Sequence, residues 1–230
     1  MQTRRLLDGM KTGRSIAASL EHSVFLPTSA GKRFPTVIAL HGRGADENDL
    51  ASLLLAVDLP RVLLVTPRAP FSFPYGGYAW YTSAQEGLPD PETFRSSLEL
   101  VSKFVDEVKA GYPVNTDRLL LLGFSQGTVM AYATTLLNPS GFRGIAALSG
   151  YIPRESGLPL HLSKLEGFPA FISHGSNDPM IPVRFGREAA EILKQAGADV
   201  TYREYLMGHE VTENTIRDLR DWVRKTLLPA

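Results

Sequence analysis

The sequence predicts an α/β protein, a mostly parallel central sheet with helices on both faces. Three observations predict it. Short runs rich in leucine, alanine and β-branched residues alternate with segments whose apolar residues recur at spacings of three and four. Most of those runs are apolar without interruption, as strands covered on both faces are. One of them, Leu119-Leu120-Leu121-Leu122, ends in Gly123-Phe124-Ser125-Gln126-Gly127 and leads into a second apolar segment, the pattern of a strand, a sharp turn and a helix start.

In chain order, strands are expected over 23–26, 36–40, 62–66, 119–123, 144–148, 170–173 and 200–205. Helices are expected between them over 49–57, 91–110, 126–137, 185–196 and 212–227. The longest helix segment places Phe94, Leu98, Val101, Phe104, Val105 and Val108 on one stripe, with Glu92, Lys103, Glu107 and Lys109 elsewhere, which reads as a surface helix facing the core. The helix after Gly127 carries Val129, Met130, Ala133, Leu136 and Leu137 and stops at Asn138-Pro139. Segments 186–194 and 217–224 hold mixed charges, the pattern of solvated helix faces. The exception to this regularity is 67–91, a long loop with five prolines and the aromatics Phe71, Phe73, Tyr75, Tyr78, Trp80 and Tyr81. A loop of that length in a compact domain is often a binding element.

No repeat, low-complexity stretch or flexible linker divides the 230 residues, so a single domain over 1–230 is expected, with 1–19 as an irregular amino-terminal extension. That length leaves little room for a large lid domain, and none is expected. Lysine plus arginine number 24 and aspartate plus glutamate 24, so no net field draws the chain to nucleic acid or anionic lipid. The chain has no cysteine, which removes disulfides, thiolate metal sites and a cysteine nucleophile. No window is long and apolar enough for a membrane span, and Asp8 and Lys11 interrupt the stretch after Arg4 and Arg5 where a secretory signal would need an apolar segment. A cytoplasmic protein is expected.

Serine must therefore do any nucleophilic work. Ser125 lies between Gly123 and Gly127, and small neighbours are what a strained turn needs for strand and helix to pass close together. A serine hydroxyl attacks near neutral pH only when a base takes its proton and an acid orients that base. His209, between the strand over 200–205 and the last helix, is placed to reach the carboxyl ends of the strands. Asp178, in Ser173-His174-Gly175-Ser176-Asn177-Asp178-Pro179, follows the preceding strand and is the expected acid, weighed against a simple turn or capping aspartate. His174 reads as a structural histidine that holds this loop. Negative charge on a substrate carbonyl oxygen calls for fixed donors. The backbone N–H groups of Gln126, just after the serine, and of Arg43, in Leu40-His41-Gly42-Arg43-Gly44, are the candidates.

Taken together, Leu40-His41-Gly42-x-Gly44-Ala45-Asp46, Gly123-Phe124-Ser125-Gln126-Gly127, the segment from His174 to Pro182 and Gly208-His209-Glu210 resemble the phospholipase/carboxylesterase family of α/β hydrolases, which includes the acyl-protein thioesterases. The resemblance runs over roughly 20–228. It implies the α/β-hydrolase fold and a serine esterase or thioesterase without metal or organic cofactor. It also implies Ser125, Asp178 and His209 as the triad and the amides of Arg43 and Gln126 as the oxyanion hole. The expected partner is a small or medium ester or thioester. Phe71, Phe73, Tyr75, Tyr78, Trp80, Met180 and Ile181 are candidate substrate-pocket walls, each set against a role in core packing. Two readings stay open for the Arg43 side chain, an anionic substrate group or bulk water. The same triad also serves a cofactor-free perhydrolase, a dienelactone-type hydrolase or a peptidase, and a ligand-binding protein without turnover would keep the pocket. Self-association through the aromatic loop also stays open.

Overall fold

The four leucines at 119–122 carry no exposed surface and run through the middle of an eight-stranded sheet. The structure is a computed structural model that describes residues 10–85 and 88–228. Its sheet is built from β1 (Met10–Thr12), β2 (His22–Pro27), β3 (Phe34–Leu40), β4 (Leu63–Pro67), β5 (Val114–Phe124), β6 (Gly144–Leu148), β7 (Pro169–Gly175) and β8 (Asp199–Tyr205), in the order β1-β2-β4-β3-β5-β6-β7-β8. Strand β2 is antiparallel to both neighbours and every other pairing is parallel.

The helices are α1 (Asp49–Ala56), α2 (Pro91–Gly111), α3 (Gln126–Leu137), α4 (Arg184–Gln195) and α5 (Glu213–Leu227). Side chains alternate across a strand, so neighbouring leucines of β5 enter different cores. Leu119 and Leu121 pack with α2, α3 and α4, while Leu120 and Leu122 pack with α1 and α5. This two-sided demand is why the run is apolar throughout. Truncating any one of these leucines to alanine is expected to cost ~2–5 kcal/mol. Local signals set the helix starts: Asp90 accepts the Thr93 N–H at 2.9 Å with Pro91 behind it, and Thr212 with Thr215 closes a capping box on α5.

Three features depart from the pattern expected. Met10–Thr12 is a strand within the stretch expected to be irregular; residues 1–9 of that stretch lie outside the described residues. A three-residue edge strand has too few side chains to show a period, and it forms because β2 offers an edge. Strand β5 starts at Val114, ahead of its apolar core, through a bulge opposite Phe34 and Thr36. The aromatic loop contains two small antiparallel ribbons, Phe71–Ser72 with Tyr78–Ala79 and Ser83–Gln85 with Leu88–Pro89. No helical lid is inserted among the described residues.

Chain direction across the sheet reverses at β3, which lies between β4 and β5 with Leu40 opposite Gly123. Crevices at the carboxyl ends of strands form at such switch points. The loops after β3, β5, β7 and β8 all leave from that edge. Among the described residues no helix is long and apolar enough to cross a membrane.

Candidate active site

Ser125 has φ 54° and ψ −121°, a left-handed conformation that costs a non-glycine residue ~1–3 kcal/mol. The surrounding structure leaves it no alternative. A Cβ at Gly127 would lie 2.0 Å from the Leu40 oxygen, and one at Gly123 2.4 Å from the Gly127 backbone, so strand and helix touch at both glycines. The turn is tied to β6 as well. Ser125 N–H donates to Leu148 O at 2.9 Å, and the Thr128 hydroxyl donates to Leu148 O at 2.7 Å while accepting from Leu148 N–H at 3.1 Å.

Out of this turn the Ser125 hydroxyl reaches His209 Nε2 at 2.8 Å. On the far side of the ring, His209 Nδ1 donates to Asp178 Oδ2 at 2.7 Å. The carboxylate accepts only, so Nδ1 carries the proton and Nε2 is left to accept from the serine. Asp178 is buried and its Oδ1 accepts the N–H groups of Met180 at 2.9 Å and Ile181 at 2.8 Å. Main-chain bonds set the spacing of the two loops, Ser176 N–H to Tyr205 O at 2.8 Å and Asn177 N–H to Met207 O at 3.1 Å. They continue the β7–β8 ladder beyond the strands. Phe124 lies with its ring centroid 5.0 Å from that of His209, giving the imidazole an apolar floor.

His174 is fully buried and donates from Nε2 to Ile181 O at 2.8 Å, with Asp178 Oδ2 3.5 Å away. Burial holds its pKa below the ordinary histidine value, so it sits neutral and closes the turn that presents Asp178.

His41 is a second buried, neutral histidine, its pKa lowered chiefly by burial. Its Nε2 accepts the Ala69 N–H at 3.0 Å, which leaves the proton on Nδ1 to be donated to Gly42 O at 2.7 Å. That bond fixes the Gly42–Arg43 peptide and hence the direction of the Arg43 N–H. Gly42 packs against Ser125: a Cβ built on it would lie 3.3 Å from the serine Cβ. Gln126 opens α3, so its N–H is one of the helix's initial donors with no carbonyl four residues back. Arg43, Ser125 and Gln126 line one cleft with Tyr81, Ser83, Tyr151, Met180 and Ile181. The Arg43 guanidinium lies 5.6 Å from the Phe73 ring centroid, a neighbour that neither reading of this side chain anticipated.

Of the residues expected on the pocket wall, Met180 and Ile181 line this cleft and the other five do not. Trp80 has no exposed surface and donates from its indole Nε1 to His41 O at 2.8 Å. Tyr78 stacks beneath the Arg68 guanidinium, 4.7 Å from its ring, and Arg68 is held by Glu47 and Glu21. Phe71, Phe73 and Tyr75 belong to the outer ribbon, and Tyr75 is 91% exposed with its ring edge-to-face on Phe73. In their place stand Tyr81 and Tyr151, which the sequence reading did not assign to the site. Trp80 and Tyr81 follow the short strand Tyr78–Ala79 in a bend, and no pattern in the sequence separates the indole that packs under His41 from the tyrosine that lines the cleft. Also unanticipated is the Gln126 side chain, which accepts Trp80 N–H and donates to Tyr81 O, both at 2.7 Å, and so clasps that segment.

A sequence model of the phospholipase and carboxylesterase family matches residues 23–227. The chain belongs to this family. Its fold agrees: the α/β-hydrolase sheet superposes on a *Bacillus cereus* carboxylesterase with a TM-score of 0.78 at 24% identity, covering 90% of this chain and 94% of that one. A carboxylesterase from *Mesorhizobium loti* gives a TM-score of 0.79 at 20% identity over 92% and 98% of the two chains. In sequence, acyl-protein thioesterase 1 of *Candida albicans* is 25% identical over 226 residues, 88% of this chain and 96% of that protein. The namesake from *Debaryomyces hansenii* is 28% identical over 162 residues, 66% and 70% of the two.

Proposed function

We propose that this member of the phospholipase/carboxylesterase family is a serine hydrolase that cleaves small carboxylic or thiol esters through an acyl-Ser125 intermediate. The hydrogen-bonded chain from Ser125 through His209 to Asp178, at 2.8 and 2.7 Å, carries the reading. In the first half-reaction Ser125 Oγ attacks the acyl carbon as its proton passes to His209 Nε2. The carbonyl oxygen takes the negative charge, facing the N–H groups of Arg43 and Gln126, each such donor being worth roughly 3 kcal/mol. His209 then gives the proton to the departing alkoxide or thiolate, and Asp178 stabilises the imidazolium in between. A water molecule repeats the sequence on the acyl-serine and releases the acid. The narrow cleft supports modest acyl groups, and no step calls for a metal or organic cofactor. Action in the cytoplasm as a one-domain protein remains part of this proposal.

Turnover of p-nitrophenyl acetate, together with labelling by a fluorophosphonate, tests it. Native protein should do both and Ser125→Ala neither. Native protein that does neither would leave a binding role on the same fold.

A further inference from the structure

Tyr151 stands between two cavities. On one side is the cleft over Ser125; on the other, beneath α4, lies a cavity of about 160 Å³ that opens to solvent. Ile152, Phe185, Ala189 and Ile192 give that second cavity apolar walls, and the Arg154–Glu188 ion pair, at 3.2 Å, stands at its exposed rim. Tyr151 is the one side chain common to both linings. It is held from each side: its hydroxyl lies 3.3 Å from that of Tyr81, and its ring centroid 5.4 Å from that of Phe185. Both tyrosines are buried, so the pair is a fixed wall.

Which end of an ester meets this wall follows from the proton path. The leaving group must receive its proton at His209 Nε2, 2.8 Å from Ser125 Oγ, so it departs on the imidazole side of the serine, while the cleft that Tyr151 closes is the one lined by Ser125 with Arg43 and Gln126. The cleft therefore holds the acyl side. We infer that Tyr151 is the residue that sets acyl length in this enzyme: its ring stops the acyl group short of the α4 cavity, and short-chain esters are the preferred substrates. This rests on the esterase reading given above. Removing the ring joins the two spaces and lets a longer chain run on between Ile152, Phe185 and Ile192.

The test is the ratio of kcat/KM for p-nitrophenyl octanoate to that for the acetate, measured in native protein and in Tyr151→Ala, Tyr151→Leu and Tyr151→Phe. Native protein should favour the acetate. In Tyr151→Ala and Tyr151→Leu the ratio should rise by at least about tenfold, since each newly buried methylene is worth roughly fourfold. Tyr151→Phe keeps the ring and should keep the native ratio. Adding Ile192→Trp to Tyr151→Ala refills the cavity and should cancel the gain. A native protein that takes octanoate as readily as acetate overturns the inference without any variant, as does a Tyr151→Ala ratio equal to the native one or a gain that survives Ile192→Trp. In all of those outcomes native protein still turns over ester, so they leave the esterase reading standing. Absence of turnover with every ester in native protein would instead remove that reading, and this inference with it.

Discussion

The indole Nε1–H of Trp80 donates to the main-chain oxygen of His41 at 2.8 Å, joining the aromatic segment to the strand end that carries the Arg43 amide. Because both groups are buried, the bond cannot be exchanged for water. Trp80→Phe keeps most of the apolar volume but removes the donor, and an unsatisfied buried carbonyl costs ~1–3 kcal/mol. The urea midpoint should fall accordingly. Turnover of acetate should fall through kcat more than KM, because the loosened loop carries the amide assigned to charge stabilisation. An unchanged kcat would mean that the Gly42–Arg43 peptide is held without the tryptophan.

Asp178→Asn keeps an acceptor for Met180 and Ile181 N–H, so the turn and the fold should survive. The new amide group would face His209 Nδ1 and reverse the tautomer, leaving Nε2 protonated toward Ser125. The expected loss in kcat is up to roughly 10⁴-fold with an unchanged circular dichroism spectrum. Near-native activity would assign the orienting role to another acid.

At Gly127, in the first turn of α3, an alanine methyl would lie 2.0 Å from the Leu40 carbonyl oxygen, and the atoms it meets are main-chain atoms at the end of β3. No side-chain rotation relieves that overlap. Gly127→Ala should lose at least about 3 kcal/mol, among the largest single-site effects, read as a collapsed melting temperature or insoluble expression. A variant of native stability would show that strand and helix can separate here.

Burial lowers the pKa of both His41 and His174. Below the ordinary histidine value the unfolded chain therefore binds more protons than the folded one. Stability from these two groups is intact above about pH 6.5 and declines as the pH falls below it, by up to ~1.4 kcal/mol per pH unit for each histidine. The decline continues until the folded protein also takes up the protons. Urea midpoints measured from pH 7.5 to 5 should show this slope, and His174→Gln should reduce it by one histidine's share. A flat profile in native protein would contradict the neutral assignment.

The strands and helices were legible because each carries its own period. The leucines at 119–122 announce a strand buried on both faces, and the stripe from Phe94 to Val108 a one-sided helix. The separation of Ser125, Asp178 and His209 along the chain was readable for a related reason: the first two follow apolar runs, His209 follows the β-branched and aromatic stretch over 200–205, and parallel strands all end at one edge. The aromatic loop was not readable in this way. Its residues are similar in chemistry, and whether Trp80, Tyr81 or Tyr75 meets the core, the cleft or water depends on the turn and bend that join and follow the two-residue strands Phe71–Ser72 and Tyr78–Ala79, which leave no hydropathy pattern.

The amino-acid sequence by itself determined the alternation of elements, the strained serine turn that its glycines permit, and the chemical types of the groups at the sheet's carboxyl edge, because these follow from local periodicity and steric rules. Only the tertiary structure decided the 2.8 and 2.7 Å contacts, the neutral buried histidines behind them and the tyrosine wall beside them. Those depend on distances between residues tens of positions apart, which arise only when both faces of the sheet are covered and the loops after β3, β5, β7 and β8 are pressed together.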